Sequence, residues 1–406
     1  MTASHPAVGS TQPARPRPAY RSSVRFTAVG ATLFVLLLGT NLPSPLWQLY
    51  EQRFGFGPAT VTVLFALYAI ALVPTILVAG PLADTLGGRL VVAPALLIAA
   101  AGCLLLASAT SLTALIIGRL AQGVAVGATS GALTAALHAT EPDADQRRAA
   151  LLATFATTAG AGSGPVLAGA LAAYGPRSAS AAYMIDVALL AAALTIGLPA
   201  LPPAPPRTAR ARYRPRRPHL PAANRTLFLR ACGLSALAWA VAYVVLALAP
   251  SYATQLLHTD NRLAAGAPAG LLLLTAALTQ TLRSTMQPAA ATRTGLLAMI
   301  AGLLGLIVVA HLPSVLLLIL VLVVIGAGQG LTFMGALRQA SVLVQPSEPA
   351  STAALFFSIT YLGGTAPVLA VGALTLAMPL TTAVQLFTGA TILTAALIVT
   401  RPRRRR

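Results

Sequence analysis

Twelve long stretches of apolar residues, joined by short polar connections, make up most of this sequence. The hydrocarbon core of a bilayer is about 30 Å thick, and a helix needs about 20 apolar residues to cross it. Because lipid cannot hydrogen-bond to free backbone groups, each stretch must be helical. The sequence therefore predicts an all-α membrane protein with twelve transmembrane helices, at 27–48, 58–80, 89–109, 112–137, 149–173, 179–200, 227–249, 264–286, 293–311, 313–337, 350–376 and 380–400.

The composition agrees with this fold class and excludes others. Of the 406 residues, 57% are hydrophobic and 9% are charged, whereas a soluble domain carries about 25% charged residues. So few charges cannot cover a water-exposed surface, which excludes a soluble enzyme and a disordered chain. The net charge of +19 would suit nucleic acid, but the arginines lie beside the apolar stretches. We expect the lipid bilayer and a small-molecule substrate as partners, no nucleic acid, and a monomer.

The arginine distribution predicts the orientation. All 27 basic residues are arginine; with the amino terminus inside, Arg53, Arg177 and Arg262 fall outside, Arg119 lies within a stretch, and the other 23 fall on the inner side. Cytoplasmic loops carry such an excess of basic residues. We expect a multi-pass plasma-membrane protein of a bacterium, with both termini cytoplasmic, and the exclusive use of arginine indicates a GC-rich genome.

A proline- and arginine-rich segment interrupts the apolar pattern after the sixth stretch, and such a composition favours an extended linker. A glutamine–glycine pair begins at Gln122 and again at Gln329, and a helix proline at Pro165 recurs at Pro367. Internal duplication with a binding site between the halves is a transporter design. The predicted parts are a cytoplasmic tail (1–26), a six-helix bundle (27–200), a basic cytoplasmic linker (201–226), a second six-helix bundle (227–400) and a basic cytoplasmic tail (401–406).

The connection after the second stretch contains Gly80, Asp84, Gly87 and Arg89. Glycines allow a tight turn between two helices, and a carboxylate at a helix boundary can accept hydrogen bonds from unpaired amides. These residues predict a capped turn on the cytoplasmic side.

Two further glycine patterns lie within predicted helices. In the fourth stretch, Gly123, Gly127 and Gly131 recur at spacing four, which predicts a ridge of small residues for close helix packing. The fifth stretch carries a Gly-Pro step that allows a bend, and its residues of interest are Gly160, Gly164 and Pro165.

These three patterns resemble signatures of the major facilitator superfamily. The turn resembles G-x-x-x-D-[RK]-x-G-[RK]-[RK], with Thr85 and Gly88 as departures. The fourth stretch resembles R-x-x-x-G-x-x-x-G, which is linked there with proton coupling. The fifth resembles the glycine-proline signature of the drug/proton antiporter branch, with Ala168 as a departure. The resemblance implies two pseudo-symmetric six-helix bundles and a role for Asp84 and Arg89 in steadying the outward-facing state, weakened here by the departures.

Two charged residues lie within predicted spans at nearly the same depth. Arg119 is in the fourth span and Asp186 in the sixth, about 10 Å below its outer edge. A buried guanidinium costs at least ~2.5 kcal/mol, so Arg119 either faces a cavity or partner or reaches the outer interface. We hypothesise an Arg119–Asp186 ion pair whose opening on protonation couples protons to transport. The alternative is a static, structural role for the pair.

Substrate-cavity candidates are polar and aromatic residues on the spans that face the pore in the superfamily. Asn41 lies beside two prolines in the first span, which indicates either a broken helix beside a cavity or the outer cap of that span. Aromatic and amide side chains suit an apolar ligand with a few polar groups. The candidates are Asn41, Tyr68, Thr129, Thr158, Trp239, Tyr243, Gln280, Gln329, Phe333, Phe357 and Tyr361.

The sequence contains no catalytic triad, zinc-ligand spacing or phosphate-binding loop, so we expect no enzyme activity, no metal and no cofactor, with a proton gradient as the energy source. The predicted function is secondary active export of a small, partly hydrophobic molecule by proton antiport and alternating access. Two alternatives stay open: an importer or uniporter on the same fold, and a non-transporting receptor or scaffold.

Overall fold

The structure, a computed structural model, describes residues 19–175, 180–203, 224–257, 261–312, 314–343 and 349–400. Within these ranges every regular element is helical, and twelve helical segments are long and apolar enough to cross a membrane. This confirms the predicted all-α fold with twelve transmembrane helices.

Six crossings precede the predicted linker, and together they are called the N half. Their helices are α1 (Ala19–Asn41), α2 (Trp47–Phe54), α3 (Pro58–Leu86), α4 (Gly88–Ala107), α5 (Leu112–Thr140), α6 (Gln146–Tyr174), α7 (Ser180–Ala192) and α8 (Leu198–Ala200). A 3-10 turn (Ser44–Leu46) joins α1 to α2 within the first crossing. A π-helical segment (Ala193–Gly197) joins α7 to α8 within the sixth.

The other six crossings are called the C half. They are α9 (Arg225–Leu257), α10 (Arg262–Leu282), α11 (Pro288–His311), α12 (Val315–Val342), α13 (Pro349–Leu374) and α14 (Leu380–Thr400). The face where α8 ends and α9 begins is called the linker face, and the opposite one the far face. Most of the predicted linker, and the tails 1–18 and 401–406, lie outside the described residues.

The turn between α3 and α4 is shorter than the sequence predicted. Helix α3 extends to Leu86, so Gly80 and Asp84 lie on helical backbone and the turn consists of Gly87, whose φ is 90°. The predicted loop is wrong because Leu82 and Ala83 favour helix, and α3 accommodates its internal prolines. Glycine is required at Gly87 because other side chains rarely adopt this backbone conformation. The side chain of Asp84 lies outside the described structure.

Small residues bring the two halves together along α6 and α10. A Cβ on Gly162 would lie 2.9 Å from the Leu273 side chain, and one on Gly169 would lie 2.8 Å from the Arg262 carbonyl oxygen. Helices in lipid associate through such close backbone approach. The α6–α10 contact therefore joins the halves over much of the membrane thickness.

Candidate functional site

The guanidinium of Arg119, on α5, is fully enclosed within the N half. The residue is 2% exposed. Nε donates to the Leu64 carbonyl at 3.2 Å, and Nη1 donates to the Thr40 carbonyl and to Gln122 Oε1, both at 2.8 Å. These acceptors come from α3, α1 and α5, so Arg119 points between helices of its own half and not to the outer interface.

Three aromatic rings surround the same guanidinium. Its central carbon lies 5.0 Å from the ring centroid of Tyr68, 5.7 Å from that of Phe65 and 5.9 Å from that of Trp47. Rings within about 6 Å of a cation attract it through their quadrupole. Carbonyl oxygens and ring faces thus replace the water that Arg119 would lose on insertion.

Asp186 is linked to Arg119 through two intervening side chains. Gln122 Nε2 donates to the Gly39 carbonyl at 3.0 Å and lies 3.9 Å from Cys103 Sγ, and that thiol donates to Asp186 Oδ2 at 3.2 Å. We call Arg119, Gln122, Cys103 and Asp186 the Arg119 network. The residue Asp186 is 1% exposed, and its Oδ1 has no hydrogen-bond partner among the described residues.

The predicted Arg119–Asp186 ion pair is wrong as a direct contact. In the described part of the chain, the ion pairs within 4.0 Å join Arg148 to Glu141 and to Asp143. The Asp186 carboxylate packs against the α1 backbone at Gly39, and Cys103 is its hydrogen-bond donor. Arg119 and Asp186 therefore lie at nearly the same depth without contacting each other.

An aromatic cluster crosses the boundary between the halves. The Phe65 ring of α3 meets Tyr243 of α9 edge-on, with centroids 5.1 Å apart, and Trp239 lies 5.2 Å from Tyr243 and 5.5 Å from Phe333. Tyr243 stacks on Tyr361 at 6.5 Å, and Tyr361 in turn lies 6.5 Å from Phe357. The aromatic cluster is defined as Phe65, Trp239, Tyr243, Phe333, Phe357 and Tyr361. Because Phe65 also faces Arg119, the cluster and the Arg119 network are adjacent.

Two buried glutamines of the C half keep unused hydrogen-bonding groups. Gln280 Oε1 accepts from Thr158 Oγ1 of the N half at 3.4 Å, whereas its Nε2 has no described partner. Neither amide atom of Gln329 has one, although the residue is fully buried. Buried amides without partners are costly, which marks both as candidates for ligand contact.

The remaining cavity candidates are satisfied locally. Asn41 ends α1, and its amide donates to the Leu37 carbonyl and to Thr40 Oγ1. The Thr129 hydroxyl donates to the Ala125 carbonyl of its own helix. The structure therefore brings Tyr68, the aromatic candidates, Thr158 and Gln280 near the boundary between the halves. The Asn41 amide and the Thr129 hydroxyl are instead used within their own helices.

The candidate gating residues lie in two places. A Cβ on Gly160 or Gly164 would collide with carbonyls of α1. The Pro165 carbonyl packs against Gly266 of the C half, where a Cβ would collide with it. Arg89 donates to the Leu201 carbonyl at 2.7 Å and to the Pro199 carbonyl at 2.8 Å. Cations stabilise the carboxyl ends of helices, so Arg89 anchors α8 within its own half.

The predicted glycine ridge is confirmed in part. Cβ atoms on Gly123 and Gly127 would collide with the Tyr68 and Leu72 carbonyls of α3, so α3 and α5 require glycine there. A Cβ on Gly131 would have no neighbour within 4 Å. The third glycine was wrongly included because spacing alone does not show where the neighbouring helix diverges.

Sequence reasoning missed Cys103 and Gln122 as site residues, and it did not single out Glu51 of α2, which accepts a hydrogen bond from Ser251 of α9. Gln122 stood in the recurring glutamine–glycine pair, and Cys103 lies mid-span, so weak signals existed for both. Apart from its charge, no sequence signal pointed to Glu51, because its position on α2 depends on the break after Asn41, which the sequence left open.

The sequence matches the Major Facilitator Superfamily over residues 29–368. The chain belongs to this superfamily. Membership supports transport across a membrane and not enzyme catalysis. No curated protein sequence matches the chain.

Solved structures of similar fold include two transporters. A point mutant of the nucleoside transporter NupG superposes with a TM-score of 0.72 at 17% identity, covering 93% of this chain and 100% of that one. A bacterial homologue of the human lysosomal transporter Spinster, inward-facing and unoccupied, superposes with a TM-score of 0.67 at 14% identity, covering 95% of each chain. At these identities the likeness shows the fold.

Proposed function

We propose that this superfamily member is a proton-coupled exporter of a small, partly hydrophobic compound in the drug/proton antiporter branch. The observation that carries the proposal is an aromatic cluster shared by both halves beside a fully buried arginine network. Rocking of one half against the other would rearrange the cluster and alternate access to it. The glycine-proline resemblance in α6 supports export as the direction.

The proton in this proposal binds Asp186. Its carboxylate is enclosed, and protonation would remove a buried charge that lacks a full set of hydrogen bonds. Cys103 and Gln122 would transmit the change to Arg119, because a neutral carboxyl group is a weaker acceptor of the thiol hydrogen bond than a carboxylate. Arg119 acts on the aromatic cluster through the Phe65 ring.

The substrate site is the aromatic cluster with Gln280 and Gln329. Ring faces bind flat apolar surface, the Gln280 amide offers a donor to a polar substituent, and the Gln329 amide offers a donor and an acceptor. The arginine excess on the linker face supports a cytoplasmic linker face in the plasma membrane. The chain would work as a monomer, driven by the proton gradient without a bound cofactor.

The test has two steps. A growth-inhibition panel of neutral and cationic aromatic compounds, with and without expression, identifies an exported compound. Everted vesicles with an imposed pH gradient then measure its accumulation. We expect Asp186→Asn to abolish gradient-driven accumulation, while Asp143→Asn, whose carboxylate side chain is 77% exposed, stays at the wild-type rate. Undiminished accumulation by Asp186→Asn would discard the coupling role.

One observation favours an importer or uniporter as the second candidate. Among the described residues, Asp186 is the one carboxylate of the Arg119 network, and the aromatic cluster contains no acidic residue. An antiporter must bind its proton somewhere, so a single acid beside the proposed substrate site leaves little redundancy. Accumulation by intact cells and not by everted vesicles would support this alternative, and no movement in either would support a scaffold.

A further inference from the structure

The first crossing is broken at the far face, and the break is inserted between the halves. Helix α1 ends at Asn41, and the 3-10 turn with its two prolines leads into α2. Within the turn, the Ser44 hydroxyl donates to the Leu246 carbonyl of α9, and Pro45 lies 3.2 Å from where a Cβ of Gly266 would stand. This turn and α2 thus contact the C half near the far face.

Glu51, on α2, takes part in the same contact. Its Oε2 accepts from Ser251 Oγ of α9 at 3.4 Å, across the boundary between the halves. Its Oε1 is buried and has no hydrogen-bond partner among the described residues. The carboxyl group is therefore half satisfied while α2 contacts α9.

No described cation compensates a charge on Glu51. Arg53 follows on the same helix, but its guanidinium lies over the Phe54 ring at 5.4 Å and forms no described ion pair. The Tyr50 hydroxyl points into the N half, where it donates to the Leu106 carbonyl. From α9 the described polar group is Ser251, and from the 3-10 turn it is Ser44; the side chains of Tyr252, His258 and Asp260 lie outside the described residues.

An ionised carboxylate with one buried, unpaired oxygen is costly, and the neutral acid is less so. Separation of α2 from α9 would return the group to water and remove that cost. We propose that Glu51 is a proton-binding site in the far-face gate and that protonation of its carboxyl holds the far face closed. By linkage, acid favours the closed gate and alkali favours the open one.

Glu51 and Asp186 differ in what a conformational change does to them. Asp186 contacts Gly39 and Cys103, both of the N half, so movement of the halves reaches it indirectly, through Arg119 and the Phe65 ring. Glu51 touches the C half and must change its surroundings when the far face opens. Resting on the proposed export by alternating access, this gate would favour loading from the linker face when the far side is acidic.

The test measures the gate and needs no substrate. Spin labels are attached through p-acetylphenylalanine at Thr110 and Leu376, which are exposed on the far-face connections of the two halves. This chemistry leaves both native cysteines in place. Pulsed electron–electron double resonance in lipid nanodiscs measures the distance between the two labels. It is measured in an acidic and in an alkaline buffer whose pH values differ by about three units.

In the wild type we expect the open-to-closed ratio to rise about tenfold or more with pH. Glu51→Gln should stay closed in both buffers, and Asp186→Asn should keep a pH response, because Glu51 is still present in that variant. Ser251→Ala, which removes the donor to the ionised carboxylate, should increase the open fraction in alkaline buffer, and it serves also if Glu51→Gln misfolds. Absence of a pH response in the wild type would overturn the inference, and so would a response that survives Glu51→Gln. It would also be overturned if the response vanished with Asp186→Asn or if Ser251→Ala left the response unchanged.

Failure of this inference is separable from failure of the proposed function. Vesicles that do not export while the Glu51-dependent distance change persists would refute export alone. Vesicles that export while Glu51→Gln retains the distance change would refute the gate alone.

Discussion

The two equivalent glutamines offer a matched pair of substitutions. Gln122 of α5 and Gln329 of α12 occupy corresponding places in the duplicated pattern, and both are buried. Gln122 accepts from Arg119 and donates to the Gly39 carbonyl, whereas both amide atoms of Gln329 lack described partners. Replacement by methionine, of similar length, removes the amide in each case.

The structure gives opposite expectations for the two variants. Gln122→Met loses a hydrogen bond to a charged group, worth about 1.5–3 kcal/mol, and a neutral one that is worth about 0.6 kcal/mol in a membrane protein. The free energy of unfolding should fall by about 2–4 kcal/mol. Gln329→Met removes an unsatisfied buried amide, so stability should be unchanged or should rise by about 1 kcal/mol.

Unfolding in mixed micelles, followed by the fluorescence of Trp47 and Trp239, measures both changes, since these are the chain's two tryptophans and lie one in each half. Transport separates the roles further: Gln329→Met should lose export of the identified compound while staying folded. Equal loss of stability in both variants would refute the reasoning, because it would mean that the Gln122 hydrogen bonds contribute nothing specific.

Two further substitutions follow from the same geometry. Gly39→Ala places a Cβ against Asp186 Oδ2 and should reduce gradient-driven transport in vesicles more than about tenfold. The control is Gly131→Ala, whose Cβ meets open space and should leave transport unchanged. Equal transport rates of the two variants would contradict the Gly39–Asp186 contact. Arg89→Ala removes the hydrogen bonds to the carboxyl end of α8 at Leu201 and should lower the free energy of unfolding by about 1–3 kcal/mol, measured in the same micelles, with unchanged stability as the contrary result.

Helix number could be predicted from the sequence because apolar length is a local property. The broken first crossing was left open at Asn41, since a break and a cap share the same prolines; the structure shows a break that continues into α2. Partners of buried charges could not be predicted, because depth along a helix does not give rotation about its axis. Asp186 consequently lies against Gly39 and Cys103, at the right depth but without Arg119.

The two duplicated halves differ at the position of the buried arginine. The offset that aligns Gln122 with Gln329 aligns Arg119 with Gly326, where a Cβ would collide with the Leu272 carbonyl. The C half instead contains a cavity of ≈ 40 Å³ with apolar walls that include Leu303 and Phe387. Apolar cavities of this kind stay dry. Among the described residues, the buried carboxyl groups lie in the N half. Coupling must reach the C half across their boundary, where the described contacts include the Phe65–Tyr243 ring pair, the Thr158–Gln280 hydrogen bond and the Glu51–Ser251 hydrogen bond.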